Sequence, residues 1–257
     1  GTNPRVKAII IGAGRGSRLR HLTEEIPKTL VPILGRPMLD SILEALAAGG
    51  FQRSDVIFIC GYKADVIRAA YPDLTYVENI GWESNNILLS LLCAREHLAG
   101  GFVSTYADIV YRPEVVADLV RSPHALTLAC DTDWRRRYTG RSQHPETDAE
   151  KLRAEGSRVV EISRKIPSEK AAGEFIGVMR ATAEGAGAFL SAFDKAQAAH
   201  AGQVFREGRM FEKAYLIDML QHMLEQGQEM HRVDTHGGYM EIDTLEDAGL
   251  AEAWWRG

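Results

Sequence analysis

The chain has 257 residues, 45% hydrophobic and 25% charged, an ordinary globular composition with enough length to bury a full core without disulfides. A formal net charge of −5 gives no electrostatic support to coating a nucleic acid, and no apolar run reaches bilayer length. Cys60, Cys93 and Cys130 lie far apart, with no CxxC pair, which argues against a structural zinc site and for buried free thiols in a reducing, cytoplasmic setting.

In chain order, Val6–Ile11 is a continuous apolar run, the pattern of a strand buried on both faces. Pro37–Ala48 predicts a helix, with proline near its start, Leu39, Ile42, Leu43 and Leu46 on one side, and Gly49-Gly50 to stop it. Asp55–Cys60 reads as a strand, Ala64–Tyr71 as a short helix, Thr75–Val77 as a short strand, and Asn86–Leu98 as a helix. Phe102–Tyr106 (strand), Pro113–Arg121 (helix) and Ala125–Cys130 (strand) continue an alternation that predicts a mainly parallel sheet covered by helices. Beyond Asp131 the pattern changes. Asp133–Lys151 is polar and arginine-rich, as in a loop or insertion, and Val159–Ile166 and Phe175–Arg180 alternate as paired strands. Glu184–His200 and Arg209–Gln226 predict two long helices, Met230–Val233 and Tyr239–Ile242 closing strands, and Thr244–Trp255 a final helix. With no linker or repeat, one domain is expected over residues 1–257.

The first strand runs into Gly12-Ala13-Gly14-Arg15-Gly16-Ser17-Arg18-Leu19, and Pro27-Lys28 follows. The glycine spacing is neither that of a dinucleotide fingerprint nor that of a P-loop. Backbone N–H groups in such a loop suit a phosphate. Arg15, Arg18 and Lys28 near one turn repel each other unless an anion lies between them. A tight turn without a ligand is the plainer alternative.

The loop together with Pro27-Lys28-Thr29-Leu30-Val31-Pro32 resembles the signature of the nucleotidyltransferases that make sugar-nucleotides and CDP-activated alcohols. That resemblance implies a Rossmann-like, three-layer α/β fold of the nucleotide-diphospho-sugar transferase type. Residues 1–131 then form a nucleotide-binding half, and residues 132–257 a lid and acceptor-binding half. It also implies that Gly12, Ala13, Gly14, Arg15, Gly16 and Ser17 hold the nucleotide, with Arg18 and Lys28 on its phosphates. Sugar-specific members usually carry a Gln…Gly-Thr-Ala segment where this chain has Glu83–Ser90, including Asn85-Asn86. This segment, with Phe102–Tyr111, Asp133-Trp134-Arg135, Thr147–Lys151, Gly173–Gly177 and Gly238–Thr244, is similar to the phosphocholine and phosphonoalkyl cytidylyltransferases.

Asp108 and Asp243 each follow an apolar strand, where open α/β sheets bind ligands, although either serves equally well as a turn or cap residue by position alone. The resemblance gives them the role of holding Mg²⁺. An acceptor phosphate or phosphonate has a second pKa of ~6, so it needs no general base, and catalysis rests on positioning and neutralised charge. Lys165, at the end of the expected strand Val159–Ile166, joins Lys28 and Arg18 as a catalytic cation, with Arg164 expected on the other face. Trp134, Arg136, Lys213, Tyr215 and Glu241 are the acceptor-binding candidates. The aromatic rings suit an ammonium group, while the run Trp134–Tyr138 favours an acceptor anion, such as that of 2-aminoethylphosphonate. The histidines show no catalytic spacing. The expected activity is transfer of CMP from CTP to such an acceptor. A sugar-1-phosphate nucleotidyltransferase and a non-catalytic nucleotide-binding regulator are the alternatives.

Overall fold

The computed structural model describes residues 6–256. Its centre is a nine-stranded sheet. The strands are β1 (Lys7–Ile11), β2 (Val56–Cys60), β3 (Thr75–Glu78), β4 (Phe102–Tyr106), β6 (Leu126–Asp131), β7 (Lys151–Glu155), β8 (Arg158–Ser163), β9 (Gly173–Ala181) and β10 (His231–Thr235). A separate pair is formed by β5 (Ile109–Tyr111) and β11 (Tyr239–Glu241). The spatial order in the large sheet is β3-β2-β1-β4-β9-β6-β10-β8-β7. β3, β2, β1 and β4 run parallel. β9 is inserted antiparallel between β4 and β6.

Alternation along β1 explains the layers. Ile9 and Ile11 face a core shared with α3 (Ile87–Leu92), α5 (Ala183–His200) and α6 (Leu216–Glu225), through residues such as Leu88, Phe189 and Leu220. Ala8 and Ile10 face the opposite core, filled by α1 (Met38–Ala48), α2 (Ala64–Ala70) and α4 (Glu114–Arg121) through Leu39, Ile67 and Val116. Such two-sided burial is why these strands are uninterrupted apolar runs. A third cluster joins Leu19 to Met240, Ile242 and Trp255, so that the last helix, α7 (Leu245–Arg256), braces the turn after the glycine loop.

The first half follows the sequence pattern, with one shortening: the helix expected over Asn86–Leu98 ends at Leu92 and is followed by a 3-10 turn at Arg95–His97. The second half departs further. The strands expected to pair with each other do not. Arg158–Ser163 pairs with Lys151–Glu155 and β10, whereas β9 pairs with β4, β6 and the start of β7. The nearly continuous burial of β9 needs a neighbour on each side, and the Gly156-Ser157 turn, with Gly156 at φ 61°, makes the local hairpin instead. The helix expected over Arg209–Gln226 starts only at Leu216, because Asp218 accepts a hydrogen bond from the Tyr215 N–H (2.8 Å) and restarts the chain there. Cys60 and Cys130 are buried, but Cys93 is exposed, contrary to expectation.

The arginine-rich stretch is mostly structural. Arg137 is buried and ion-pairs with Asp131 at the end of β6 and with Glu174 in β9 (2.9 Å), while its guanidinium lies 4.4 Å from the Tyr239 ring centre. Asp131 also accepts hydrogen bonds from the N–H groups of Asp133 and Gly237, both 2.9 Å. Arg135 pairs with Glu146 (2.7 Å) and Arg136 with Asp133 (3.1 Å). Removing one member of a buried ion cluster strands the others, at a cost of about 3–5 kcal/mol. Arg137→Ala is therefore expected to lose about that much stability in urea denaturation; a loss under about 1 kcal/mol would show that Arg137 does not hold β6 and β9 together.

Candidate functional site

β1 ends in the glycine loop at the carboxyl edge of the parallel strands. There two cavities meet, sharing Ile11, Lys28, Asn86 and Ile87 in their walls. The smaller, about 130 Å³, adds Ala13, Gly14, Asn79, Trp82, Asn85 and Ser90. The larger, about 160 Å³, contains the charged groups described below.

The loop shapes the junction. Gly12 lies against the Phe58 ring, where an added Cβ would come within 2.5 Å. Gly16 has φ 63°, and a Cβ there would meet Lys28 at 2.9 Å, so glycine lets Lys28 pass close to the turn. The three cations of this region are not left repelling one another. Arg15 donates to the Thr23 carbonyl (2.7 Å) and covers the Tyr62 ring, Arg18 pairs with Asp243, and Lys28 pairs with Asp108 at 2.9 Å. Contrary to expectation, no ligand anion is needed between them: Asp243 and Asp108 supply the counter-charges of Arg18 and Lys28, and Arg15 is held by a carbonyl and a ring. Ser17 is exposed and lines neither cavity. Asn85 is locked to Asn79 by two reciprocal amide hydrogen bonds, each 2.9 Å, and Asn86 caps α3.

Negative charge is crowded in the larger cavity. Burial opposes the Lys28 charge, but Asp108, Asp243 and Glu241 outweigh it and raise the ammonium pKa to about 12. Burial raises the Asp108 carboxyl; Lys28 pulls against this and Asp243 adds to it. Glu241 is raised well above the carboxylate range by burial and by Asp243, Asp108 and Glu174. Glu150 is raised to about 7, chiefly by burial, with Arg164 pulling it down; it accepts a hydrogen bond from the Tyr106 hydroxyl at 2.8 Å. The Tyr106 ring fits beside a bulge in β9 because Gly177 has φ 83° and no Cβ, which would otherwise lie 2.2 Å from the ring.

The donors suit a hard divalent cation, which prefers oxygen ligands. Asp243, Glu241 and His144 offer ligand atoms within 4.8 Å of one another. Asp108 lies outside that group, held by Lys28, but its carboxyl is raised by the Asp243 charge.

The other expected site residues divide. Glu241 lines the larger cavity. Tyr215 supports it from behind, its ring centre 4.4 Å from the Arg164 guanidinium and 4.0 Å from that of Arg209. Lys165 is exposed and lines neither cavity, because β8 ends at Ser163; its neighbour Arg164 turns into the larger cavity. Lys213 and Arg136 are exposed and also lie outside both cavities. Trp134 is only 3% exposed and packs with Tyr138 and Ala149. Trp82 lies at the glycine-loop end. Sequence reasoning missed Tyr106, His144, Glu150, Arg164 and Glu174 as lining residues. Tyr106, Glu150 and Glu174 do lie inside segments that carry the family resemblance, Phe102–Tyr111, Thr147–Lys151 and Gly173–Gly177.

A model of the MobA-like NTP transferase domain matches residues 8–194. The CTP:phosphoglutamine cytidylyltransferase of Campylobacter jejuni is 25% identical across 94% of this chain and 97% of its own length. The 2-aminoethylphosphonate cytidylyltransferase of Lancefieldella rimae is 32% identical over 43% of this chain and 46% of its own, so that match spans under half of either protein. Among solved structures, the CTP:phosphocholine cytidylyltransferase of Streptococcus pneumoniae superposes with a TM-score of 0.71 at 26% identity, over 97% of this chain and 99% of that one. The α/β fold expected from the sequence is the one observed.

Truncating a packed tryptophan costs about 3–5 kcal/mol. Trp134→Ala is expected to show that loss in thermal unfolding while leaving the acceptor KM of the folded fraction unchanged. Native stability with a raised KM would return Trp134 to the acceptor site.

Proposed function

Because the chain belongs to the MobA-like NTP transferase family, we propose that it transfers CMP from CTP to a small phosphate or phosphonate monoester that carries an amino or ammonium group. The observation that carries this reading is the junction itself. A glycine-loop cavity opens at the Lys28–Asp108 pair into one rich in carboxylates and lined by the rings of Tyr106, Phe175 and Tyr239. Carboxylates and aromatic faces together suit an organic cation. The cytidylyltransferases similar to this chain support CTP as the donor and a phosphate or phosphonate as the attacking group.

In this reading an oxygen of the acceptor attacks the α-phosphorus, the bond from that phosphorus to the bridging oxygen of the β-phosphate breaks, and pyrophosphate leaves. Lys28 and Arg18 exchange their carboxylate partners for triphosphate oxygens. The glycine-loop N–H groups and Asn86 hold the nucleotide, and Glu150 and Glu241 hold the cationic end of the acceptor in line. A magnesium ion on Asp108 and Asp243 would supply the charge neutralisation that these two carboxylates otherwise take from Lys28 and Arg18.

Pyrophosphate release should be measured with each of the four NTPs against 2-aminoethylphosphonate, phosphocholine and glucose 1-phosphate. The expected result is turnover with CTP and an amine-bearing acceptor, stopped by chelating the divalent cation. Turnover only with the sugar phosphate, or with none, would overturn the proposal.

The pH profile is a second check. Glu150 must be ionised to attract a cation and titrates near 7, so the acceptor KM should rise as the pH falls through that value, while the CTP KM stays level. Since the folded state holds this proton more tightly than the unfolded chain, the ligand-free protein should lose stability as the pH rises through 7. A flat acceptor KM from pH 6 to about 8 would remove Glu150 from the acceptor pocket.

A further inference from the structure

Arg164 is a charged group of the larger cavity that the proposed reaction leaves unused. Its Nε is shielded from solvent and has no hydrogen-bond partner among the described residues, nor does the guanidinium form an ion pair there within 4.0 Å. Arg164 lines the larger cavity, and a guanidinium there without a protein acceptor leaves its cavity-facing N–H groups to a ligand acceptor. The guanidinium is fixed by stacking, 4.4 Å from the Tyr215 ring centre. Tyr215 is in turn set by Arg209, which is anchored to Asp218.

The charges that act on Arg164 are Glu150, Glu241 and Asp148. Those that act on Lys28 are Asp108, Asp243 and Glu241. Glu241 is the carboxylate common to both cations, which line the same cavity. Around Arg164 a cation and carboxylates share that cavity without bonding to one another: Glu150 is engaged by Tyr106, and Glu174 by Arg137 and Tyr138. A simple ammonium would satisfy the carboxylates and leave the Arg164 N–H unmade.

We propose that the acceptor is zwitterionic at its far end, an amino-acid-like phosphate or phosphonate whose ammonium meets the Glu150 side of the cavity and whose carboxylate, or an amide carbonyl derived from it, accepts from Arg164. This rests on the cytidylyltransferase reading of the same site and narrows its acceptor class. Arginine suits the role because its planar fork binds carboxylates with directed hydrogen bonds, which a lysine ammonium does not reproduce.

Matched acceptors that differ only by a carboxyl group provide the test: O-phosphoserine against O-phosphoethanolamine, and 2-amino-4-phosphonobutyrate against 3-aminopropylphosphonate. A hydrogen bond to a charged group corresponds to about ten- to a hundredfold in kcat/KM. The carboxylated member of each pair is expected to be preferred by about that factor, and Arg164→Gln is expected to abolish the preference by weakening the carboxylated member alone. Arg164→Lys keeps the charge and should recover only part of it, which covers a Gln variant that fails to fold. Equal kcat/KM within each pair, or an equal loss on both members in either variant, would overturn the proposal and make Arg164 a ligand of the shared phosphate. Calorimetric titration of the same four compounds onto the protein reads the preference without turnover. A preference there with no CTP turnover would overturn the cytidylyltransferase reading alone, whereas no preference would overturn this inference.

Discussion

Uncompensated negative charge at the carboxyl edge of the sheet is the constraint on which the site depends. Asp108, Glu241 and Asp243 converge there with Glu150 and Glu174 close by, and burial makes each charge expensive. The protein relieves part of that cost internally, through Lys28 on Asp108, Arg18 on Asp243 and Arg137 on Glu174. What remains unrelieved defines what can bind. The same pairs explain how Arg18 and Lys28 persist without a ligand: they are stored on carboxylates and available for exchange. A site arranged in this way favours the joint arrival of a cation and a polyanion, since either alone would leave one half of each pair exposed.

The scaffold is built to hold this charge in place. β9 lies antiparallel between β4 and β6, and carries Glu174 and Phe175 to the cavity. Its bulge at Gly177 makes room for Tyr106. Arg137, from the segment that looked most like a solvated basic loop, is drawn into the interior and ties β6, β9 and β11 together. That segment therefore contributes to acceptor recognition indirectly, by fixing Glu174 and Tyr239, and the case for an anion at the acceptor's far end passes to Arg164.

Much of the first half was legible because its signals are local. A strand buried on both faces must be apolar throughout, and a glycine loop at its end is recognisable from spacing alone; Lys28, Asp108, Asp243 and Glu241 all reach one cavity. In the second half, the strand partners differ from those expected because alternation tells which residues face inward but not which strand lies alongside. An expected strand running to Ile166 places Lys165 in the site, whereas the strand ends at Ser163 and Arg164 turns in instead. His144 gave no signal, since its position beside Glu241 arises from packing against the distant Asp247.

The sequence by itself determined the layered α/β architecture, the irregular glycine loop with its following lysine, and the placing of two aspartates after strands. All of these follow from residue type and spacing over a few positions. Only the tertiary structure decided which charged groups are already partnered and which are left facing the cavity. Arg18 meets Asp243, Arg137 meets Glu174 and Arg164 meets no acidic side chain within 4.0 Å among the described residues. The physical reason is that ion pairing is settled by contacts between residues far apart in the chain, and the chemistry of this cavity lies in the charges that such pairing does not cancel.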